Sequence, residues 1–171
     1  MRSAIALAAC VAVLGLVNYS IFEKERQLSS GKIVYLELAP VDPRSLMQGD
    51  YMALRFKVAT DAMPAMARSD SSGPDARGRA LAAVNGRLVA TLNDKSIGTY
   101  RRLDDGTPLA PDEILLRYRV REGQVKFATN AYFFQEGTGR RYEEARYGEF
   151  RVAADGGLLL SGLRGKELQP L

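Results

Sequence analysis

The sequence predicts a mainly β fold, an antiparallel sandwich-like or barrel-like domain with one or two short helices, carried behind an N-terminal transmembrane helix. Three observations lead there. The run from Ser3 to Phe22 contains no charged residue, the segments after it alternate apolar and polar residues over short lengths, and turn dipeptides recur between those segments. With 171 residues the chain divides into an anchor at 1–22, a polar stem at 23–31 and one globular domain at 32–171.

The anchor comes first. A helix of about 20 apolar residues spans about 30 Å of hydrocarbon, so residues 3–22 are long enough to cross a bilayer. Asn18, Tyr19 and Ser20 fall where that helix reaches the headgroups, and Glu23 to Arg26 form a charged exit. A cleaved signal peptide would end its apolar region at a small-x-small site, but the site near Ala6 to Cys10 is followed by a further apolar stretch. Leu7-Ala8-Ala9-Cys10 also reads like a lipoprotein processing box, with too few residues before it to make a signal. Counting positive charges, Arg2 against Lys24, Arg26 and Lys32, favours an internal domain. The very short N-terminal tail and the lack of any thiol after Cys10 favour export, and a single-pass inner-membrane protein with a periplasmic domain is the expectation.

Beyond the polar stem the pattern changes. In Lys32 to Val41, Val34, Leu36 and Leu38 share one face and Ile33, Tyr35 and Glu37 the other, which predicts the first strand. Asp42-Pro43-Arg44-Ser45 supplies turn chemistry, and Met52, Leu54, Phe56 and Val58 alternate with Tyr51, Ala53, Arg55 and Lys57 in a strand that turns back on the first. Residues 59–84 are Ala-rich and broken by Pro64, Pro74 and Gly78, which predicts a short helix and then a mobile surface loop. Turns are expected at Asn85-Gly86, Asn93-Asp94, Asp105-Gly106, Glu122-Gly123 and Asp155-Gly156-Gly157, with Asn-Gly the strongest hairpin signal. Leu116, Tyr118 and Val120 alternate with Arg117, Arg119 and Arg121, so that strand has an apolar and a basic face. Val125 to Phe134 should pair back, Gly139 to Tyr147 should form a short helix, and Phe150 to Val152 with Leu158 to Leu163 should close the sheet as a hairpin.

Composition removes most hydrolytic chemistry. There is no histidine and one cysteine, Cys10, so a Ser-His-Asp triad, a Cys-His nucleophile, a His-ligated metal and a Cys-rich zinc site cannot be built. The net charge of +4 is interspersed rather than clustered, which argues against a nucleic-acid partner. Glu136, Gly137 and Gly139 lack the rest of a phosphate loop, and Glu136, Glu143, Glu144 and Glu149 lack the calcium-loop spacing and read as solvated charge. No cofactor and no metal are expected.

Gly49-Asp50-Tyr51-Met52-Ala53-Leu54-Arg55-Phe56, preceded by Leu38 to Gln48, resembles the signature of the bacterial GDYXXLXY proteins. A second stretch, Phe133-Phe134-Gln135-Glu136-Gly137 to Tyr142 and then Ala145 to Val152, is similar to that family's other characteristic block. The last position of the first motif is Phe56 where the family name has tyrosine. The resemblance implies a small membrane-anchored protein, often encoded beside a multi-span inner-membrane protein, with no established reaction.

Read from the residues, Gly49 can take a positive φ, Asp50 can accept backbone or Arg44 hydrogen bonds and Tyr51 opens a strand, so this is a turn-strand corner or part of a binding surface. The aromatic block poses a second question. Tyr132 and Phe134 share one strand face and Phe133 takes the other, so at least one ring needs cover from the Gly139 to Tyr147 helix, from a partner protein or from the membrane surface. The candidate binding residues are therefore Asp50, Tyr51, Phe133, Phe134, Glu136, Tyr142 and Tyr147, with Gly49, Leu54, Phe56, Gly137 and Gly148 as structural motif positions.

The expected role is an accessory or interaction module for a multi-span inner-membrane protein, without catalysis. One alternative is a signal-peptidase-like Ser/Lys protease, since Leu46 to Tyr51 also looks like the Gly-Asp turn of those enzymes. Aligning that turn puts Val41 at the nucleophile position, leaving only a Ser45-Lys57 dyad with Lys57 on the Tyr51 face. A small-ligand sensor is the other alternative.

Overall fold

The computed structural model describes residues 2–39, 47–48, 51–70, 85–121, 123–129 and 131–171. The Asp42 to Ser45 turn, Val41, Gly49, Asp50 and the loop at 71–84 lie outside the described residues. The uncharged run and the polar stem form one continuous helix, α1 (Arg2–Ser30). Ile5–Ser30 is long and apolar enough to cross a membrane, and none of its apolar window is buried against the domain. Cys10 is a free, exposed thiol on this helix.

What stops α1 is local. The Gly31 amide donates to the Gln27 carbonyl at 2.8 Å, and a Cβ at Gly31 would strike that oxygen. The Gln27 side chain then ties helix to domain. Its Nε2 donates to the carbonyls of Arg151 (3.0 Å) and Gly157 (2.7 Å), one arm and the turn of the last hairpin.

The strands are β1 (Lys32–Glu37), β2 (Met47–Gln48), β3 (Tyr51–Ala53), β4 (Asn85–Leu92), β5 (Ile97–Leu103), β6 (Glu113–Arg121), β7 (Gln124–Lys126), β8 (Ala131–Phe133), β9 (Tyr147–Val152) and β10 (Leu158–Arg164), with one long helix, α2 (Lys57–Asp70), after β3. They make a seven-stranded sheet in the order β10-β9-β1-β5-β4-β6-β7 and a three-stranded sheet in the order β2-β3-β8. Mainly β with helix is the observed class, as expected.

One seam departs from the antiparallel expectation. β1 pairs with β5 in parallel, Tyr35 against Ile97 and Leu36 against Gly98, and every other described pairing is antiparallel. Gly98 eases the packing at the seam, because a Cβ there would crowd Leu36 Cδ2 at 3.1 Å. Turn dipeptides specify neighbours in the chain, and this pairing joins strands distant in it.

The core lies on the inner face of the large sheet, where Val34, Leu36, Leu88, Ala90, Leu116, Phe150 and Val152 are buried. α2 packs against β1, β5 and β7 and buries Val58, Ala59, Ala62 and Met66, the spacing of one helical face. Each such large apolar side chain is worth about 1.5–3 kcal/mol when fully buried, which lets the domain stand without a disulfide.

Several expected elements need correction. The extended segment runs from Tyr51 only to Phe56, and Lys57 and Val58 already belong to α2, because Val58, Ala62 and Met66 follow the helical period. β3 is not the hairpin partner of β1. It pairs with β2 and β8, and the contact with the first strand is the Leu38 to Phe56 bridge, with the Ala39 amide donating to the Arg55 carbonyl at 2.8 Å.

Asn85-Gly86 is not a turn but the start of β4, paired with Arg119 and Tyr118. Its glycine serves packing, since a Cβ at 86 would lie 2.5 Å from the Tyr118 ring. The run Val125 to Phe134 splits, β7 pairing with β6 and β8 joining the small sheet. Only Gly139–Tyr142 turns helically, as a single 3₁₀ turn. The turns at Asn93-Asp94, Gly123 and Asp155 to Gly157 stand where the sequence puts them, Asn93 Oδ1 accepting from the amides of Lys95 and Ile97 and Gly123 and Gly156 taking positive φ.

Candidate interaction surface

The two stretches that carry the family resemblance touch each other twice. Inside, the Phe56 ring packs edge-on against Phe150 (centroids 5.2 Å apart) and Phe127 (6.0 Å), and it lies over Gly148. A Cβ on Gly148 would be 2.9 Å from Phe56 Cε1 and 3.0 Å from Phe150 Cε2, so glycine at 148 is the space that Phe56 needs. Phe56, Met52 and Leu54 are all buried. A tyrosine hydroxyl at position 56 has no counterpart here, and the ring serves as core.

Outside, β3 and β8 set Tyr51 directly opposite Phe133, and the two rings lie 5.7 Å apart at 42°. Phe133 is 75% exposed. On the other face of β8, Tyr132 and Phe134 are covered by Tyr142, at 5.2 Å edge-on and 5.1 Å stacked. The 3₁₀ turn thus covers the inner rings and leaves Phe133 bare. Burial first, and then the hydrogen bond shared with Tyr142, push the Tyr132 phenol above its ordinary value.

The other candidates disperse. Glu136 and Gly137 sit in an exposed turn closed by the Thr138 amide and hydroxyl donating to the Gln135 carbonyl at 3.0 and 2.6 Å, with Gly137 at φ +81°. Tyr147 belongs to β9 in the large sheet, opposite Glu37. Lys57 opens α2 instead of sharing a strand face with Tyr51; it is exposed, and its Nζ contacts Glu37 Oε2 at 3.3 Å. Ser45, its imagined partner, lies outside the described residues.

Glu149 overturns its reading as solvated charge. It is 5% exposed, with Oε1 accepting from Ser161 Oγ at 2.8 Å and Oε2 from Arg164 Nε at 2.6 Å and Nη2 at 2.5 Å. The register shift between Leu160 and Gly162 places Ser161 there. Both carboxylate oxygens are committed, and no group of three or more metal-ligating side chains occurs among the described residues. Leu54, Arg55 and Phe56 also line a cleft of about 150 Å³ between α2 and β7.

No sequence pattern pointed to Gln27. A glutamine in a polar stem has no signature for two carbonyls brought to it from β9 and the turn that follows it.

No curated protein and no solved structure matches the chain. The family model described as GDYXXLXY protein matches residues 13–163, from the middle of α1 into β10 and across both stretches that meet at Phe56 and at Tyr51, so the chain belongs to the GDYXXLXY family.

Proposed function

We propose that this protein is a membrane-anchored accessory module whose periplasmic domain binds a multi-span inner-membrane protein through the Tyr51 and Phe133 face. The observation that carries the reading is the bare Phe133 ring, held in register against Tyr51 on a sheet whose inner aromatic rings are already covered. An exposed aromatic ring backed by a half-buried one is the composition that interface centres favour. The apolar α1 helix supports anchoring, and the lack of any thiol in the residues after Cys10 supports an exported domain.

The test uses the full chain expressed at native level in its own host and solubilised in mild detergent, with the multi-span membrane protein that comes with it identified and quantified. Co-purification should fall at least tenfold in Phe133→Ser, while the thermal midpoint of the variant stays at the parent value. Retained co-purification would remove this face as the interface. An alkaline phosphatase fusion after Leu171 should be active, and an inactive one would place the domain in the cytoplasm.

A further inference from the structure

Between the end of α1 and the foot of the domain lies a groove of about 710 Å³, lined among others by Lys24 and Arg26 of α1 and by Lys32, Leu109, Arg117 and Asp155 of the domain. Its charges are unevenly committed. Arg117 is paired with Asp155 at 2.9 Å, and Glu113, also in the wall, is held by Arg102 at 3.4 Å. Lys24, Arg26 and Lys32 have no ion-pair partner among the described residues, and Glu23 is the one lining carboxylate there that opposes them.

Depth decides what can occupy the groove. At about 1.5 Å per residue, Lys24 and Arg26 stand about 3 and 6 Å beyond Phe22, inside a headgroup layer about 5–7 Å thick on each side. Gln27, about 7.5 Å beyond Phe22, fixes the β9–β10 turn at the same level through its two carbonyl contacts. The domain-side wall carries an exposed leucine, Leu109, between Pro108 and Pro111, which suits the glycerol and upper acyl region.

We propose that this groove holds the phosphate headgroup of an anionic glycerophospholipid from the leaflet on which the domain stands. The proposal rests on α1 being a membrane span. Lys24 and Arg26 meet the phosphate, Lys32 adds positive charge from the groove's outer end, and Leu109 lies against the lipid's apolar part.

The experiment takes the full-length protein into nanodiscs of phosphatidylcholine with about one fifth phosphatidylglycerol and counts retained lipids by native mass spectrometry. Each basic side chain near an anionic surface contributes about fivefold. The ratio of retained phosphatidylglycerol to phosphatidylcholine should therefore exceed the bulk ratio by well over fivefold, and excess inorganic phosphate should not displace it. Combined Lys24→Gln, Arg26→Gln and Lys32→Gln should return the ratio to bulk, whereas Arg140→Gln with Arg141→Gln, outside the groove, should keep it. Bulk composition in the parent, enrichment that survives the triple change, or displacement by phosphate would each overturn the lipid site. Release of the parent from membranes by alkaline carbonate would instead overturn the span, and the groove's occupant with it.

Discussion

Tyr51 and Phe56 stand five residues apart on one motif and meet opposite fates. Phe56 is sealed among Phe127, Phe150 and Gly148, whereas Tyr51 holds Phe133 against solvent. Strand parity separates them, because an odd spacing puts them on opposite faces of the extended segment. One short stretch therefore does two jobs: its far end builds the core and its near end dresses a surface. Both jobs use the same second stretch, 133 to 150, as the other half.

The sharpest way to break this comparison is a pair of truncations read by thermal unfolding. Phe56→Ala should cost about 3–5 kcal/mol, enough to unfold much of a marginal domain. Phe133→Ala should stay within about 0.5 kcal/mol, as exposed positions do. Equal losses would mean that Phe133 is covered and the two ends are alike.

The outer face of β9 offers a second contrast, between a charge in water and a charge under cover. Arg164→Met leaves the Glu149 carboxylate buried with Ser161 alone, and should cost about 3 kcal/mol, the low end for a broken buried pair because Arg164 is a quarter exposed. Lys57→Met, which breaks the exposed contact with Glu37, should cost under about 1 kcal/mol. Chemical denaturation of both variants ranks them. A reversed order would show that the Glu149 pair adds nothing beyond a surface contact.

The smallest effect separates the two faces of β8. Tyr132 has its phenol raised above 10 in the folded chain, so its contribution is fully present below pH 10 and is lost as pH rises through the raised value. Tyr132→Phe should therefore lose less stability than the parent between neutral and strongly alkaline pH. An unchanged alkaline profile would mean that Tyr142 does not cover that ring.

What was legible in the sequence was what neighbouring residues decide. Val34 and Leu36 are buried as their alternation requires, Arg117, Arg119 and Arg121 face water, and the hairpin turns at Asn93, Gly123 and Gly156 are specified by residues within them. The candidate site was legible in part: parity separated Phe133 from Tyr132 and Phe134, but only the fold shows that the bare ring is Phe133 and that Tyr51 is its neighbour. Distant pairing was hidden. Glu149 reads as one more surface acid until a register shift on β10 brings Ser161 and Arg164 to it. The alternation from Tyr51 ran two residues too far because Val58 suits a strand and a helix face equally.

The two hydrogen bonds of Gln27 carry a consequence for direction. A helix gripped by its own domain at one residue transmits its rotational phase to everything beyond it. Each residue added between Phe22 and Gln27 would swing the domain by about 100° about the helix axis and lift it by about 1.5 Å. The length of that short spacer is thus a compass setting, choosing which neighbour in the bilayer plane the Tyr51 and Phe133 rings can meet.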